Sequence, residues 1–405
     1  MSRLAENGGQ GSAPLPKGWR MTRVKDVVSI CNGADPTSVG DIPVYGSGGK
    51  SFKTCGEYKV GPTVLLGRKG ATLHIPHYVT GKYWNVDTAF DVRTSGKINL
   101  KLFYYLATDF DYRANQTQTT LPSMTQTAYG RMQIPIPPRS EQERIAAFLD
   151  EKCAAVDKVI EVKRKQLESI AGQRKSLITQ SVVFGLGACR SRKTGIEWMP
   201  LVNSDWEVVS LKRLLSRKME YGLSEAAELE DESLPRYIRI TDFGDDGELK
   251  DDTFKSLPME IAKDAMLQAN DVLFARSGAT VGKSYIYTGW RAGACFAGYL
   301  IRAQTKAWRL NPKFLYYFTK SAAYDAWRGL IFTQATIQNI SAVKYGQLKM
   351  PVPSVRTQNE IVSYLEARGR EFDSLAVNLR KQIETLELYR KSLIHEYVTG
   401  ARRVA

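Results

Sequence analysis

The chain repeats itself, and a repeat constrains a fold more than composition does, because both copies must adopt the same solution. WRMTRVKDV from Trp19 is answered by WEVVSLKRL from Trp206. VLLGRKGAT at 64–72 is answered by VLFARSGAT at 272–280, LFYYL at 102–106 by FLYYF at 314–318, and Tyr129-Gly130 by Tyr345-Gly346. SEQERIAAFLDEK at 140–152 then meets RTQNEIVSYLEAR at 356–368, and RKQLESIAGQRKSLI at 164–178 meets RKQIETLELYRKSLI at 380–394. The offset grows from 187 at the tryptophans to 216 and then stays constant. Length differences therefore fall early in each copy, and the later part matches without a gap.

Each copy reads as a globule, a proline-rich stop and a long helix. Short Val/Ile/Leu/Tyr runs between Gly, Asp and Pro turns predict strands, Tyr237–Ile240 and Asp271–Ala275 among them, with short helices over 100–108 and 312–320. Pro135, Pro137 and Pro138 close the first globule, and Pro351 and Pro353 the second. Residues 141–182 then hold no proline and one glycine, Gly172; residues 357–398 hold no proline and one glycine, Gly369. In the second helix Phe372, Ala376, Leu379, Ile383, Leu386, Arg390, Leu393 and Tyr397 alternate spacings of four and three. Their first-helix counterparts are Val156, Ile160, Lys163, Leu167, Ile170, Arg174, Leu177 and Ser181. This is the seam of a coiled coil. Arg174 and Arg390 interrupt both seams at the same place, either to fix register or to snorkel from the edge.

The expected fold is α/β (α+β) domains in tandem, alternating with long helices that pair as an antiparallel coiled coil, with an internal pseudo-twofold repeat. The expected boundaries are a tail at 1–18, a globule at 19–140, a helix at 141–185, a linker at 186–204, a globule at 205–355, a helix at 356–398 and a tail at 399–405.

Charge narrows the partner. Among 405 residues, 57 Lys+Arg stand against 42 Asp+Glu, a formal +15. Residues 1–140 carry 17 basic against 9 acidic groups, the densest part of the excess. No Lys/Arg block occurs, so the pattern is a folded surface with positive patches facing a polyanion. The longest apolar runs fall short of a membrane span, and MSRLAENGGQGS lacks a secretory apolar core. Five dispersed cysteines without a CxxC pair fit a reducing cytosol, so a cytoplasmic location is expected.

Reaction centres are hard to find. SGATVGKS at 277–284 leaves three residues between Gly278 and Gly282 where a P-loop needs four, and the following Tyr-Ile-Tyr-Thr predicts a strand–loop–strand hairpin. The sequence has no [DN]-P-P-[YFW] tetrad for amino-methylation, no G-x-G-x-x-G and no G-x-S-x-G. Glu248-Leu-Lys250 has nuclease-like spacing but no preceding Pro-Asp. His74 and His77 near Asp87 lack a cysteine or second carboxylate to complete a metal site. No catalytic residue and no metal site is expected.

The order of globule, Pro-x-Pro, Q-x-E-I-type helix start and R-K-x-L-I helix end, written twice, resembles the specificity (S, HsdS) subunit of bacterial and archaeal type I restriction–modification systems. The carrying segments are IPIPPRSEQERIAAFLDEK with QLESIAGQRKSLI, and MPVPSVRTQNEIVSYLEAR with QIETLELYRKSLI. VLLGRKGAT and VLFARSGATVGK resemble strand–loop segments of the family's target recognition domains. The resemblance implies a non-catalytic subunit. Each recognition domain would read one half of a split asymmetric double-stranded DNA target. The helices would act as a spacer docking two methyltransferase (M) subunits. Restriction (R) subunits would join the larger complex. S-adenosylmethionine, ATP and Mg would belong to those partners, with no cofactor in this chain and no membrane. The alternatives are a stand-alone two-domain DNA-binding regulator and a catalytic fusion.

Candidate DNA contacts follow from residue type. Arg68, Lys69 and Gly70 follow the strand Val64–Leu66, and Arg276, Ser277 and Gly278 occupy the equivalent loop, with Lys283 just beyond. Arg and Lys reach phosphates or guanine edges, and glycine permits close backbone approach. Gly46-Ser-Gly-Gly-Lys50 is a similar basic loop. Gln116, Gln118, Thr119 and Thr120, with Gln334, Thr336, Gln338 and Asn339 in the second copy, suit adenine edges or plain turns equally.

Overall fold

The computed structural model describes residues 15–117, 120–226, 228–244, 249–333 and 339–404. The chain divides into two compact units, residues 1–165 with 379–405, and residues 166–378. Both long helices contribute to both: the first runs Arg139–Val183 and the second Val355–Val398.

In the first unit, an antiparallel sheet runs in the order Val28–Asn32, Ala89–Thr94, Thr63–Gly67, His77–Val79. A second sheet contains the parallel pair Ile42–Tyr45 and Lys82–Asn85. Arg20–Arg23 pairs with Gln133–Ile136 and closes the globule. In the second unit, the antiparallel order is Glu220–Tyr221, Leu300–Ala303, Val272–Ala275, Ser284–Ile286. Arg236–Ile238 pairs in parallel with Ala294–Phe296, and Glu207–Ser210 with Lys349–Val352 closes the globule. The two units thus share strand order and closure.

Short helices back each sheet. Leu100–Thr108 starts at Asn99, whose side chain accepts from the Lys101 and Leu102 amides. Pro312–Phe318 starts at Asn311, which accepts from the Lys313 amide. An unfilled helix N-terminus costs hydrogen bonds, and asparagine fills it. The start of each long helix then grips this cap. Buried Gln142 accepts from the Asn99 amide at 2.7 Å and donates to the Pro137 carbonyl at 3.0 Å. Buried Gln358 does the same with the Asn311 amide at 2.7 Å and the Pro353 carbonyl at 2.9 Å.

Each core is finished by two helix ends. In the first unit, Ile145, Ala146 and Leu149 pack with Leu393, Ile394, Tyr397 and Val398 against the globule. In the second, Ile361, Val362 and Leu365 pack with Ile178, Val182 and Val183. Beyond the cores, burial along the helices is sparse. Between Ala154 and Ser176 the residues that are not exposed are Val156, Ile160, Lys163, Leu167, Ile170 and Arg174. Between Glu371 and Ser392 they are Phe372, Ala376, Leu379, Ile383, Leu386 and Arg390. Opposite charges cross from helix to helix within each unit. Arg390 Nε meets Asp157 at 2.8 Å and Arg164 meets Glu387 at 2.8 Å in the first, and Arg174 meets Asp373 at 2.5 Å in the second. Arg390 and Arg174 are repeat equivalents, and so are Asp157 and Asp373. Burial is the largest single influence on Arg390 and opposes its charge, but the hydrogen bond to Asp157 and the Asp157 charge together outweigh it, and the pKa is raised.

Several sequence expectations need correcting. The stretch 186–204, expected as a linker, contains an antiparallel hairpin of Ser191–Ile196 and Met199–Asn203. Met199 and Val202 are buried in the second core, and Asn203 donates to the Phe184 carbonyl. Within the stretch 399–405, expected as a tail, Arg403 pairs with Glu141 at 3.1 Å and Val404 packs on the first core. The strand expected over 237–240 is Arg236–Ile238, with Ile240 already in a 3-10 turn. Among the described residues no helix is long and apolar enough to cross a membrane.

Candidate nucleic-acid interface

The strand–loop segments at 64–70 and 272–278 are held by matching bonds. Tyr129 donates to the Gly67 carbonyl at 2.7 Å, and Tyr345 to the Ala275 carbonyl at 2.8 Å. Burial raises the pKa of both hydroxyls, so they remain donors. The Arg68 amide donates to Thr88 and its carbonyl accepts from Met124; the Arg276 amide donates to Tyr299 and its carbonyl accepts from Ile340. Lys69 bridges to Ser123, and Ser277 to Asn339. Gly70 and Gly278 then turn at φ of 110° and 80°, a region costly for other residues. With the backbone fixed on both sides, the side chains are what remains to face a ligand.

In the first globule, Lys50 and Lys69 are exposed. The loop before Lys50 lies against the segment following Gly70: a Cβ on Gly48 would stand 2.5 Å from Thr72 Oγ1, and one on Gly49 2.8 Å from His77 Cβ. Glycine at both positions is therefore what brings the two basic loops together. Arg68 is partly covered; it donates to the Asp87 carbonyl at 3.2 Å and stands 6.0 Å from the Phe90 ring. His77 packs 5.4 Å from Tyr45, and burial lowers its pKa. Among the described residues no group of three or more His, Cys, Asp or Glu gathers as a metal site.

In the second globule, Arg276 lies 4.7 Å over the Tyr221 ring, and its buried Nε lacks a hydrogen-bond partner among the described residues. It borders a concavity of about 670 Å³ shared with Arg239, Thr241 and Tyr299. Arg239 is tied to buried Asp242 at 2.8 Å, which leaves Arg276 as the cation to meet an incoming anion there. An arginine fork beside an exposed tyrosine face suits a phosphate or a base. Tyr221 and Tyr299 were not legible as site residues: they lie far from Arg276 in sequence and reach it through strand pairing.

Lys283 does not share that concavity. The hairpin from Val272–Ala275 to Ser284–Ile286 turns it into a separate cavity of about 370 Å³. Gln118 and Gln338 lie outside the described residues, as do Thr119, Gln334, Thr336 and Glu248.

Known proteins match this architecture. The family model of the type I restriction modification DNA specificity domain matches residues 16–170 and 203–385. The chain is 24% identical over 316 residues to the type I restriction enzyme MjaVIII specificity subunit of Methanocaldococcus jannaschii, covering 76% of this chain and 71% of that one. It is 22% identical over 376 residues to a putative type I restriction enzyme specificity subunit of Haemophilus influenzae, covering 88% of each. A solved chain from a type I R-M system, described for its complex assembly and conformational transition, superposes with a TM-score of 0.71 at 17% identity over 95% of this chain and 99% of that one. The doubled globule-and-helix plan, the paired basic loops and these matches together establish that the chain belongs to the type I restriction–modification specificity subunit family.

Proposed function

We propose that the chain is the non-catalytic subunit that reads a split asymmetric target in double-stranded DNA, one half through each globule. The observation that carries this reading is the pair of equivalent loops at Arg68 and Arg276. They are held by the same backbone bonds yet differ in what they present: Lys69 and Gly70 beside Lys50 in one, Ser277 and Gly278 beside Tyr221 and Tyr299 in the other. A common frame with different faces is what reading two different half-sites requires. The long helices pair as an antiparallel coiled coil, and the repeated ion pairs Arg390–Asp157 and Arg174–Asp373 support that pairing. They serve as spacer and as docking surface for two methyltransferase subunits. The partners bring S-adenosylmethionine, ATP and Mg, and restriction subunits complete the assembly.

The test is exchange of one globule, followed by genome-wide mapping of adenine methylation with the matching M subunits present. Replacing residues 19–140 is expected to change one half of the target, and replacing 205–355 the other. Inserting helical residues around Gly172 should leave both halves intact and change the gap. A single unsplit motif would overturn the reading. Within the assembled complex, Arg276→Ala should weaken DNA binding. Loss of a bidentate base contact costs about 1–3 kcal/mol and relaxes one position, whereas loss of a phosphate contact weakens all sequences alike.

A further inference from the structure

The cavity that holds Lys283 lies in the second unit, where the first long helix meets the globule. Its lining is unusually cationic. Arg174 and Lys175 come from the helix, Lys283 from the hairpin, and Lys320 and Arg328 from the helical region behind the sheet. One carboxylate, Asp325, lines the same space. It is shared between Lys175 at 2.5 Å and Arg328 at 2.9 Å, while Arg174 is paired with Asp373.

Lys320 is the key group. Its Nζ donates to the Ser284 carbonyl at 2.9 Å and lies 4.6 Å over the Tyr316 ring, and neither partner carries a charge that neutralises it. Burial, then the neighbouring Lys283 and Arg328 charges, push its pKa down to about 8, against a smaller opposite pull from Asp325. Holding a cation there is unfavourable for the fold, and such groups gather at sites of function. The opening is built around them as well. A Cβ on Gly282 would stand 2.2 Å from Arg328 Cδ, so glycine is what lets the Arg328 chain lie where it does.

We propose that this cavity is a phosphate-binding site, formed by Lys320 with Lys175, Lys283 and Arg328. The lining charge exceeds what one carboxylate guest would balance, and the volume of about 370 Å³ admits a phosphate with part of its ester. The phosphate comes either from the DNA backbone or from a free phosphate species. The DNA-recognition reading bears on that source and not on the site itself.

The probe is inorganic phosphate, and the reporter is Lys320. The full-length chain is treated with acetic anhydride at pH 7, and acetylation at Lys320 is followed by mass spectrometry. Acylation requires the neutral amine. A bound anion that raises the pKa by one unit lowers the rate about tenfold. Phosphate is expected to protect Lys320 saturably by about that factor, with sodium chloride at equal ionic strength ineffective. Lys175→Gln should raise the phosphate concentration for half protection severalfold, and an unchanged value would remove the assignment to this cavity. If duplex DNA protects as well, the source is the backbone; if phosphate protects and DNA does not, the source is a free phosphate. Protection by neither, or only by a glutamate-rich peptide, overturns the proposal. Labelling reads the chain alone and methylation mapping reads the complex, so the two readings fail separately.

Discussion

The corner of the second unit that gathers Lys320 has a counterpart in the first with different charged groups. Aligning Leu102–Leu106 with Phe314–Phe318 sets Thr108 opposite Lys320 and Asp109 opposite Ser321. Asp109 Oδ2 lies 2.9 Å from His395 Nδ1, where the second unit has Thr179 Oγ1 accepting from the Ala322 amide. Around these differences the frame is kept. Lys101 meets Asp150 at 3.2 Å in one corner and Lys313 meets Glu366 at 2.5 Å in the other. The bonds that weld helix to globule are common to both units. The charges that face outward from that weld are particular to each.

The comparison can be broken hardest at the cores. Ile394→Ala should destabilise the first unit, and Ile178→Ala the second, each by about 2–5 kcal/mol. Hydrogen exchange in Thr63–Gly67 and Val272–Ala275 reads the two units separately. Equal loss in both strands from either variant would show that the units do not hold independent cores.

The next effect is pH-dependent and belongs to the second unit. Because the Lys320 pKa is held near 8, below the ordinary lysine value, the unfolded chain binds more protons between about pH 8 and the ordinary value. Stability of that unit therefore rises with pH across this window, and below pH 8 the full penalty is present. Lys320→Met should be more stable than the parent at pH 7, with the advantage shrinking above pH 8. Denaturant unfolding of the two proteins at pH 7 and pH 9 checks this. An advantage that grows with pH would contradict it.

The smallest effect lies in the helix pairing. Arg390→Asp sets two aspartates together across the first unit's helices, and adding Asp157→Arg should restore the contact. Partly exposed pairs of this kind contribute about 0.2–1 kcal/mol. A double-mutant cycle on Arg174 and Asp373 should give a similar coupling energy. A coupling present in one unit and absent in the other would mark the seam as asymmetric.

Much of the frame was legible because it depends on local pattern. The helix over 100–108 was read to the residue, and the long helices to within two residues at each end, since seam periodicity and flanking prolines both mark them. The hairpin at 191–203 escaped because Ser191–Gly195 is largely polar and exposed, and contact with the second core begins only at Ile196 and Trp198 before the buried Met199 and Val202. The anchoring of Arg403 escaped because its partner, Glu141, is more than 250 residues away. Sites suffered most. Arg276 and Lys283 are close in sequence, yet a tight hairpin aims them into different cavities. The phosphate-site lining comes from three separated stretches, so no linear motif contains it.

The first core has one more consequence, for the order in which the molecule is made. Its globule and the opening of its helix emerge from the ribosome before the second globule, but Leu393, Ile394, Tyr397 and Val398 emerge after it. At about 5–20 residues per second, the first globule waits roughly 10–50 s with apolar surface uncovered. The second unit has no such delay, because Ile178, Val182 and Val183 precede its globule. The first globule is thus synthesised before the second but completed after it, and a nascent chain interrupted before residue 393 would carry an unsealed domain for chaperones and proteases to find.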